Sequence, residues 1–546
     1  MRDAGLASLM NAYHELDGVP CGASSELLDD ILRREWGFEG TVVSDYFAVD
    51  QLHSYHRLAP DQSAAAVMAL RAGIDVELPA TDAYGAPLSA AIDANDLDEG
   101  VVDTAVRRVL RQKFDLGLFE DPFGDESAIT ATTATADQGA LALEIARRSM
   151  VLLANHDATL PLPDGATIAL IGPNADSARN LLGDYTFPAH IETLEDAKQQ
   201  GSLLGGMPTV PDDLVLDAEP ENVPTIRQQL AARLGDRLRF AAGCGVTDPS
   251  TDGFDEAVAL AAASDVTVLV MGDRSGLTPE CTTGEGRDRA TLDLPGVQER
   301  LVQAVAAAGT PVVLVLVGGR PMGSEAAHAC SAAALMAWLP GQAGAQAIAE
   351  VLTGETVPSG KLPISFPRSV GQVPVFYGHK LSGGRSHWQG DYVELPTSPR
   401  YAFGHGLSYT DFELRNPGLS AREVAADGHV EVTVEVANTG DRDAEQVLQL
   451  YVRDPDASVT RPVRELKGFA RVAVPSGASV PVRFELHTGQ LGFHGRDMTY
   501  RVEPGTIEVY LGAASDDLLH VGDLTITGDG SAPAAKVFSG AVHIGT

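Results

Sequence analysis

Two carboxylates stand in settings that suggest chemistry. Asp45 closes the run Gly40-Thr41-Val42-Val43-Ser44-Asp45 and is followed by Tyr46. The β-branched residues suit a short strand buried on both faces, and glycines 37 and 40 punctuate its entry. A carboxylate at the C-terminal end of such a strand is placed to act as a nucleophile, because (β/α)8 barrels build their active sites at that end. The plain alternative is that Asp45 caps a helix starting at Tyr46, since Asp is a favoured N-cap. Glu285 lies between two glycines in Cys281-Thr282-Thr283-Gly284-Glu285-Gly286-Arg287-Asp288-Arg289. No core periodicity accounts for it there, and the flanking glycines free the backbone to carry the side chain across a domain gap. Glu280 competes for the same work, and a solvated loop would explain either residue.

Other constellations carry less. Ile171-Gly172-Pro173-Asn174-Ala175-Asp176 follows a strand but lacks the GxGxxG spacing, and its proline removes one N–H from any phosphate cradle. His53 and His56 follow the Asp45 strand with no accompanying metal-ligand set. A Gly-x-Ser-x-Gly elbow is absent. The expectation is therefore no cofactor and no metal.

Elements that would position the carboxylates follow from periodicity. Strands near Leu9 to Tyr13, Gly40 to Asp45 and Gly73 to Leu78 alternate with helices at Leu27 to Trp36, Ser63 to Ala72 and Glu99 to Phe114. That is a βαβα series with parallel pairing, over residues 1–120. An eight-fold barrel takes about 250 residues, so this segment reads as a partial (β/α)8 barrel. A polar connector spans 115–135, and a helix is expected from Gln138 through Val151. Residues 136–370 then read as an αβα sandwich with a parallel sheet: strands at Thr167 to Ile171, Asp265 to Met271, Pro311 to Val317 and Ala334 to Leu339 are separated by helical stretches. Residues 371–412, rich in Gly, Pro and aromatics, form an ordered tether. From 413 to 530, alternation such as Val430, Val432, Val434 and Val436 predicts a β-sandwich of fibronectin type III kind. The chain is thus multidomain α/β plus all-β.

Composition narrows the partners. Acidic residues outnumber basic ones 75 to 39, giving a formal charge of −36, and lysine occurs only at 113, 198, 361, 380, 467 and 536. Such a surface repels nucleic acid and anionic membranes, while a neutral ligand is not repelled. Excess carboxylate needs only water to explain it, although it also suits a salty medium. The four cysteines are too scattered for a disulfide framework and are read as buried small residues. Met1-Arg2-Asp3 leads into no signal-like apolar stretch, which leans toward a cytoplasmic chain unless residues precede it.

A family resemblance runs through the chain in order. Its motifs are Leu9-Met10-Asn11-Ala12-Tyr13 with Gly18-Val19-Pro20, Leu27-Leu28-Asp29-Asp30-Ile31-Leu32-Arg33, the Asp45 strand, and Ala72-Gly73-Ile74-Asp75-Val76-Glu77-Leu78-Pro79. Downstream come Gly284 to Arg289 with Leu294-Pro295-Gly296, Gly360-Lys361-Leu362-Pro363 with Phe366-Pro367, and Phe403-Gly404-His405-Gly406-Leu407-Ser408-Tyr409-Thr410. Together they resemble glycoside hydrolase family 3, the β-glucosidases and β-xylosidases. The resemblance implies that Asp45 is the nucleophile, Glu285 the acid/base, Tyr13 a hydrogen-bond partner of the nucleophile, and Tyr46 and Met10 parts of the sugar site. It makes neither Asp75 nor Glu77 catalytic, though both could shape that site. Asp288 and Arg289 are expected to pair and brace the loop.

The implied reaction is retaining cleavage of terminal β-D-glucose or β-D-xylose from an oligosaccharide or glycoside. Two carboxyls about 5 to 5.5 Å apart divide the work, one attacking the anomeric carbon while the other protonates the leaving oxygen. The family's N-terminal barrel half, with its Lys-His and Arg/Asp sugar-binding positions, finds no counterpart in these residues. A homo-oligomer or a complementing barrel half is the partner this calls for, and a non-catalytic carbohydrate-binding or assembly protein is the alternative. A phosphorylase or hexosaminidase variant would dispense with Glu285.

Overall fold

The run Thr41–Val43 is a strand, and it pairs in parallel with Ser8–Met10 in the register Ser8 to Thr41. In the computed structural model, residues 4–200, 220, 222–384, 390–529 and 534–545 are described. They divide into two units, one consisting chiefly of Met1–Thr133 and the other of Ala134–Glu195 and Val215–Thr546. In the first unit the expected third strand is reduced to one parallel bridge, Val43 to Val76. Its backbone still continues the sheet, because Ser44 N–H donates to Val76 O (2.7 Å) and Asp75 N–H to Val42 O (2.8 Å). Helices Gln62–Ala72 and Glu99–Asp115 begin at Asp61 and Asp98, whose carboxylates accept from Ala64 N and Gly100 N. These are the N-cap bonds that short polar side chains supply. The segment Glu26–Glu35 is wound wider than an α-helix, with Trp36 N–H reaching back to Ile31 O (2.9 Å). Leu28, Leu32, Val42, Val49, Leu52 and Ile74 pack this unit's core.

The second unit holds a six-stranded sheet between two helical layers and, after it, a β-sandwich. Along the sheet the strands run Val151–Asn155, Ala333–Trp338, Val312–Val317, Val266–Gly272, Ile168–Ile171 and Leu238–Ala241. The last five are mutually parallel, but Val151–Asn155 is antiparallel to Ala333–Trp338, so the sheet is mixed rather than parallel throughout. The expected helix through Val151 stops at Ser149, because Met150 turns extended and Val151 enters the sheet. Val266–Gly272 and Val312–Val317 are buried along their whole length, as strands covered on both faces must be.

The β-sandwich stacks a four-stranded sheet (Phe412–Leu419, His429–Asn438, Ser479–His487, Val542–Ile544) on a five-stranded one (Glu423–Ala425, Asp517–Thr527, Gly505–Ala514, Ala444–Arg453, Glu465–Val474). In His429–Asn438 the valines at 430, 432, 434 and 436 all face the core, the alternation expected of a strand solvated on one face. Of the four free cysteines, Cys21 and Cys281 are buried, but Cys244 is half-buried and Cys330 exposed, so the small-core reading holds for two. Among the described residues no helix is long and apolar enough to cross a membrane.

One buried histidine makes the second unit pH-sensitive. His328 donates Nε2–H to Met322 O (3.0 Å), and Tyr401 OH lies 3.4 Å from Nδ1, a set of bonds that fits the neutral ring. Burial pushes its pKa from 6.5 down to about 4. A base that is harder to protonate in the folded state contributes its full stability above the unfolded pKa and loses it as pH falls toward the folded one. Denaturant midpoints should therefore drop by the equivalent of about 2 kcal/mol between pH 6.5 and about 5, before most carboxylates titrate. His328→Asn should flatten that segment of the profile; an unchanged slope would contradict the assignment.

Candidate active site

Asp45 follows the Thr41–Val43 strand by two residues and is half-buried. Its Oδ1 accepts the N–H of Tyr46 (2.7 Å), and its own N–H donates to Asn11 Oδ1 (3.3 Å). The helix beyond starts at Ala48 with Phe47 as N-cap and no side-chain cap, so Asp45 does not cap it. Phe47 takes a left-handed conformation, φ 62°, held by its N–H to Leu78 O (2.8 Å). A bulky residue there costs about 1–3 kcal/mol, the kind of strain that clusters at functional turns. Among the described residues no ion pair engages Asp45.

Around it, side chains from parallel strand ends share one rim. Met10, Tyr13 and Tyr46 are 55%, 38% and 42% exposed, large for apolar and aromatic residues beside a core. Tyr13 donates its hydroxyl to the carbonyl oxygen of Tyr46 (2.9 Å), one residue beyond the carboxylate for which the resemblance intended it. His56 Nε2 donates to Tyr13 O (3.0 Å) and His53 Nδ1 to Ala59 O (3.0 Å), so both histidines brace backbone. Asp75 and Glu77 both hold structure, and Asp75 also lines a cavity of about 280 Å³. Asp75 sits between Arg33 and Arg108, 2.7 Å from each, and accepts Val42 N–H (2.9 Å). Glu77 accepts the N–H groups of Ala83 (3.0 Å) and Tyr84 (2.6 Å), while burial raises its pKa.

Glu285 belongs to the second unit, where topology favours a site. Numbered along the chain, the five parallel strands lie in the order 2-1-3-4-5, so the connections part company between Ile168–Ile171 and Val266–Gly272. Ligands in open α/β sheets bind beyond the carboxyl ends of the strands at such a switch point. Glu285 lies in the loop after the second of these strands, and Asp184 and Tyr185 in the segment after the first. The two meet: Tyr185 OH donates to Glu285 Oε2, and Glu285 N–H donates to Asp184 Oδ2 (2.9 Å). Glu280 is exposed with no such partners among the described residues.

The loop itself is closed by backbone. Thr282 N–H donates to Arg274 O (2.9 Å), Gly276 N–H to Thr283 O (3.0 Å), and Thr282 Oγ1 to the fully buried Asp273 (2.9 Å). Asp288 and Arg289 do not pair; Arg287 braces the loop instead, from its guanidinium to Pro279 O (2.6 Å) and Cys281 O (3.2 Å). Asp184, Tyr185 and Arg287 were not singled out beforehand, and only Arg287 had a signal, its place in the glycine-flanked motif. At Gly172, the rejected phosphate-loop glycine, an added Cβ would lie 2.3 Å from Val270 O, so close strand packing accounts for it. Among the described residues no cluster of three or more His, Cys, Asp or Glu could hold a metal ion.

Comparison with known proteins fits this organisation. Residues 1–112 match the Glycosyl hydrolase family 3 N terminal domain, 150–409 the Glycosyl hydrolase family 3 C-terminal domain, and 446–515 the Fibronectin type III-like domain. The periplasmic beta-glucosidase of Salmonella typhimurium is 37% identical over 94% of this chain and 67% of its own length. The chain belongs to glycosyl hydrolase family 3. A beta-xylosidase of Formosa agariphila is 36% identical, over 95% of the family 3 chain described above and 69% of its own. The crystal structure of a beta-glucosidase from Listeria innocua in complex with isofagomine superposes with a TM-score of 0.84 at 31% identity, covering 96% of this chain and 69% of that one.

Gly284 makes the family 3 loop testable. Its φ is +136°, and an added Cβ would lie 2.2 Å from Gly276 O. Gly284→Ala should weaken the loop by about 1–3 kcal/mol, the usual cost of such a conformation. Amide exchange at Gly276 and Thr282 should accelerate about tenfold or more while the global melting midpoint barely moves, and unchanged exchange would contradict this account.

Proposed function

We propose that this family 3 chain is an exo-acting retaining β-glycosidase releasing terminal non-reducing β-D-glucose, with β-D-xylose as the second sugar, by double displacement. The observation that carries the reading is Asp45: a carboxylate just beyond a buried parallel strand, held through Tyr46 and Asn11, with neither a capping role nor an ion pair among the described residues. Its Oδ1 accepts the neutral N–H of Tyr46, which leaves Oδ2 for attack on an anomeric carbon. Tyr46, Tyr13 and Met10 offer apolar faces on the same rim, on which the C–H face of a pyranose would stack.

Glu285 is assigned the proton work. It protonates the leaving glycosidic oxygen as Asp45 attacks, then takes a proton from the water that hydrolyses the glycosyl-Asp45 ester. Once glycosylated, Asp45 carries no charge, so one residue can serve as acid first and base second. Tyr185 and Asp184 fix its position from the neighbouring loop. Glucose stands ahead of xylose because the Salmonella relative is named a β-glucosidase and the Listeria β-glucosidase also has a crystal structure in complex with glucose.

Two experiments separate the roles. A 2-deoxy-2-fluoro glucoside should leave a stable adduct on the peptide holding Asp45, and labelling elsewhere would overturn the nucleophile assignment. Glu285→Ala should lose about 10²- to 10⁴-fold in turnover of glycosides with poor leaving groups. Aryl glycosides with good leaving groups should keep partial turnover, and azide should accelerate it by attacking the glycosyl-enzyme, yielding a β-configured glycosyl azide. The same loss without rescue would move the acid/base role to Glu280 or elsewhere, and sugar binding without turnover in the unmutated chain would favour the non-catalytic alternative.

A further inference from the structure

Two family motifs lie outside the carboxylate chemistry, and the fold brings them together. Leu362 N–H donates to His405 O (2.8 Å) and Gly404 N–H to Leu362 O (2.8 Å), which joins Gly360–Pro363 to Phe403–Thr410. The pairing draws the Lys361 side chain inward until Nζ donates to Gly406 O (2.7 Å) at the wall of a cavity of about 410 Å³. Among the described residues no carboxylate forms an ion pair with it, although Asp516 and Asp517 also line the cavity. Arg471, held by Glu445 at 3.0 Å, adds a like charge nearby, and His405 lies on the same wall. Ser408 contributes a buried hydroxyl with no hydrogen-bond partner among the described residues, and Gln446 a further polar group.

We propose that Lys361 is a covalent attachment site for the open-chain aldehyde of small sugars, which it takes up as an imine inside this cavity. The unprotonated Nζ adds through its lone pair to the carbonyl carbon, and the C=O pair becomes a hydroxyl as one proton moves from nitrogen to oxygen. The carbinolamine then loses that hydroxyl with a second proton from nitrogen, giving C=N and one water with no change in oxidation state. Asp516 and Asp517, with Asp411 and Glu445 on the same wall, are able to relay those protons. Ser408, Gln446 and the four carboxylates of the lining suit a polyhydroxy chain better than an alkyl one.

Burial supports the amine chemistry. It moves the Lys361 pKa from 10.5 down to about 8, with Arg471 acting in the same sense and Asp517 against it. At neutral pH the free-amine fraction is then on the order of 10²-fold above that of a surface lysine, the same desolvation that serves Schiff-base lysines. Only five other lysines compete, and Lys113 is exposed.

Labelling of the intact chain, which reads no glycoside turnover, tests this independently of the proposed function. With D-glyceraldehyde and cyanoborohydride at pH 7, peptide mass spectrometry should find Lys361 modified on the order of 10-fold faster than Lys113, since lower basicity offsets part of the gain in free amine. Propanal is the apolar comparator, and the ratio of glyceraldehyde to propanal labelling should be higher at Lys361 than at Lys113. Ser408→Ala should lower the ratio at Lys361 toward the Lys113 value. Equal rates at the two lysines, or equal ratios, would overturn the proposal, and an unchanged ratio in Ser408→Ala would overturn the part given to that hydroxyl.

Discussion

The ion pair between Asp273 and Arg320 is the constraint on which the second unit's candidate site depends. Asp273 is fully buried where the Val266–Gly272 strand ends, and Arg320 Nε answers its charge at 2.9 Å. An unpaired carboxylate there would cost several kcal/mol, so the sheet tolerates Asp273 only with the guanidinium in place. The same carboxylate takes the hydroxyl of Thr282, and the same guanidinium reaches Asp293 O (3.0 Å). One charge pair therefore ties two loops above the strand ends, and the longer of them carries Glu285.

The first unit uses the same device at another strand. Asp75 is closed off between two arginines, and its remaining contact is the N–H of Val42, inside the strand that leads to Asp45. In both units a buried, neutralised aspartate fixes backbone while a second carboxylate nearby in the chain has no ion pair among the described residues. Under the proposed roles, rigidity and reactivity fall to different residues, as sites that must hold geometry to a fraction of an ångström require.

Most of the architecture was legible because its signals are local. Alternating valines give the β-sandwich, and unbroken β-branched runs give the central strands. Val151–Asn155 was misread because Met150 to Leu153 is a continuous apolar run abutting a helix, and such a run fits either state until a partner strand selects one. Leu238–Ala241 carries an arginine in a four-residue strand and shows no period. At the candidate site, Asp45 and Glu285 stood out through their flanking residues. The partners of Asp75, and the meeting of Tyr185 with Glu285, join positions 33 to 100 residues apart and leave no trace in spacing.

The antiparallel strand has a bearing on how these molecules coexist in a crowded solution. Val151–Asn155 ends the six-stranded sheet, and its outer side is met by Leu407, whose N–H donates to Leu152 O (2.8 Å) while His405 Nε2 donates to Leu153 O (2.8 Å). A bare hydrophobic border of this kind would offer a template for stacking one molecule's strands onto another's. The polypeptide's own return segment covers that border, so this flank of the sheet is guarded against amyloid-like growth without a single charged gatekeeper on the strand.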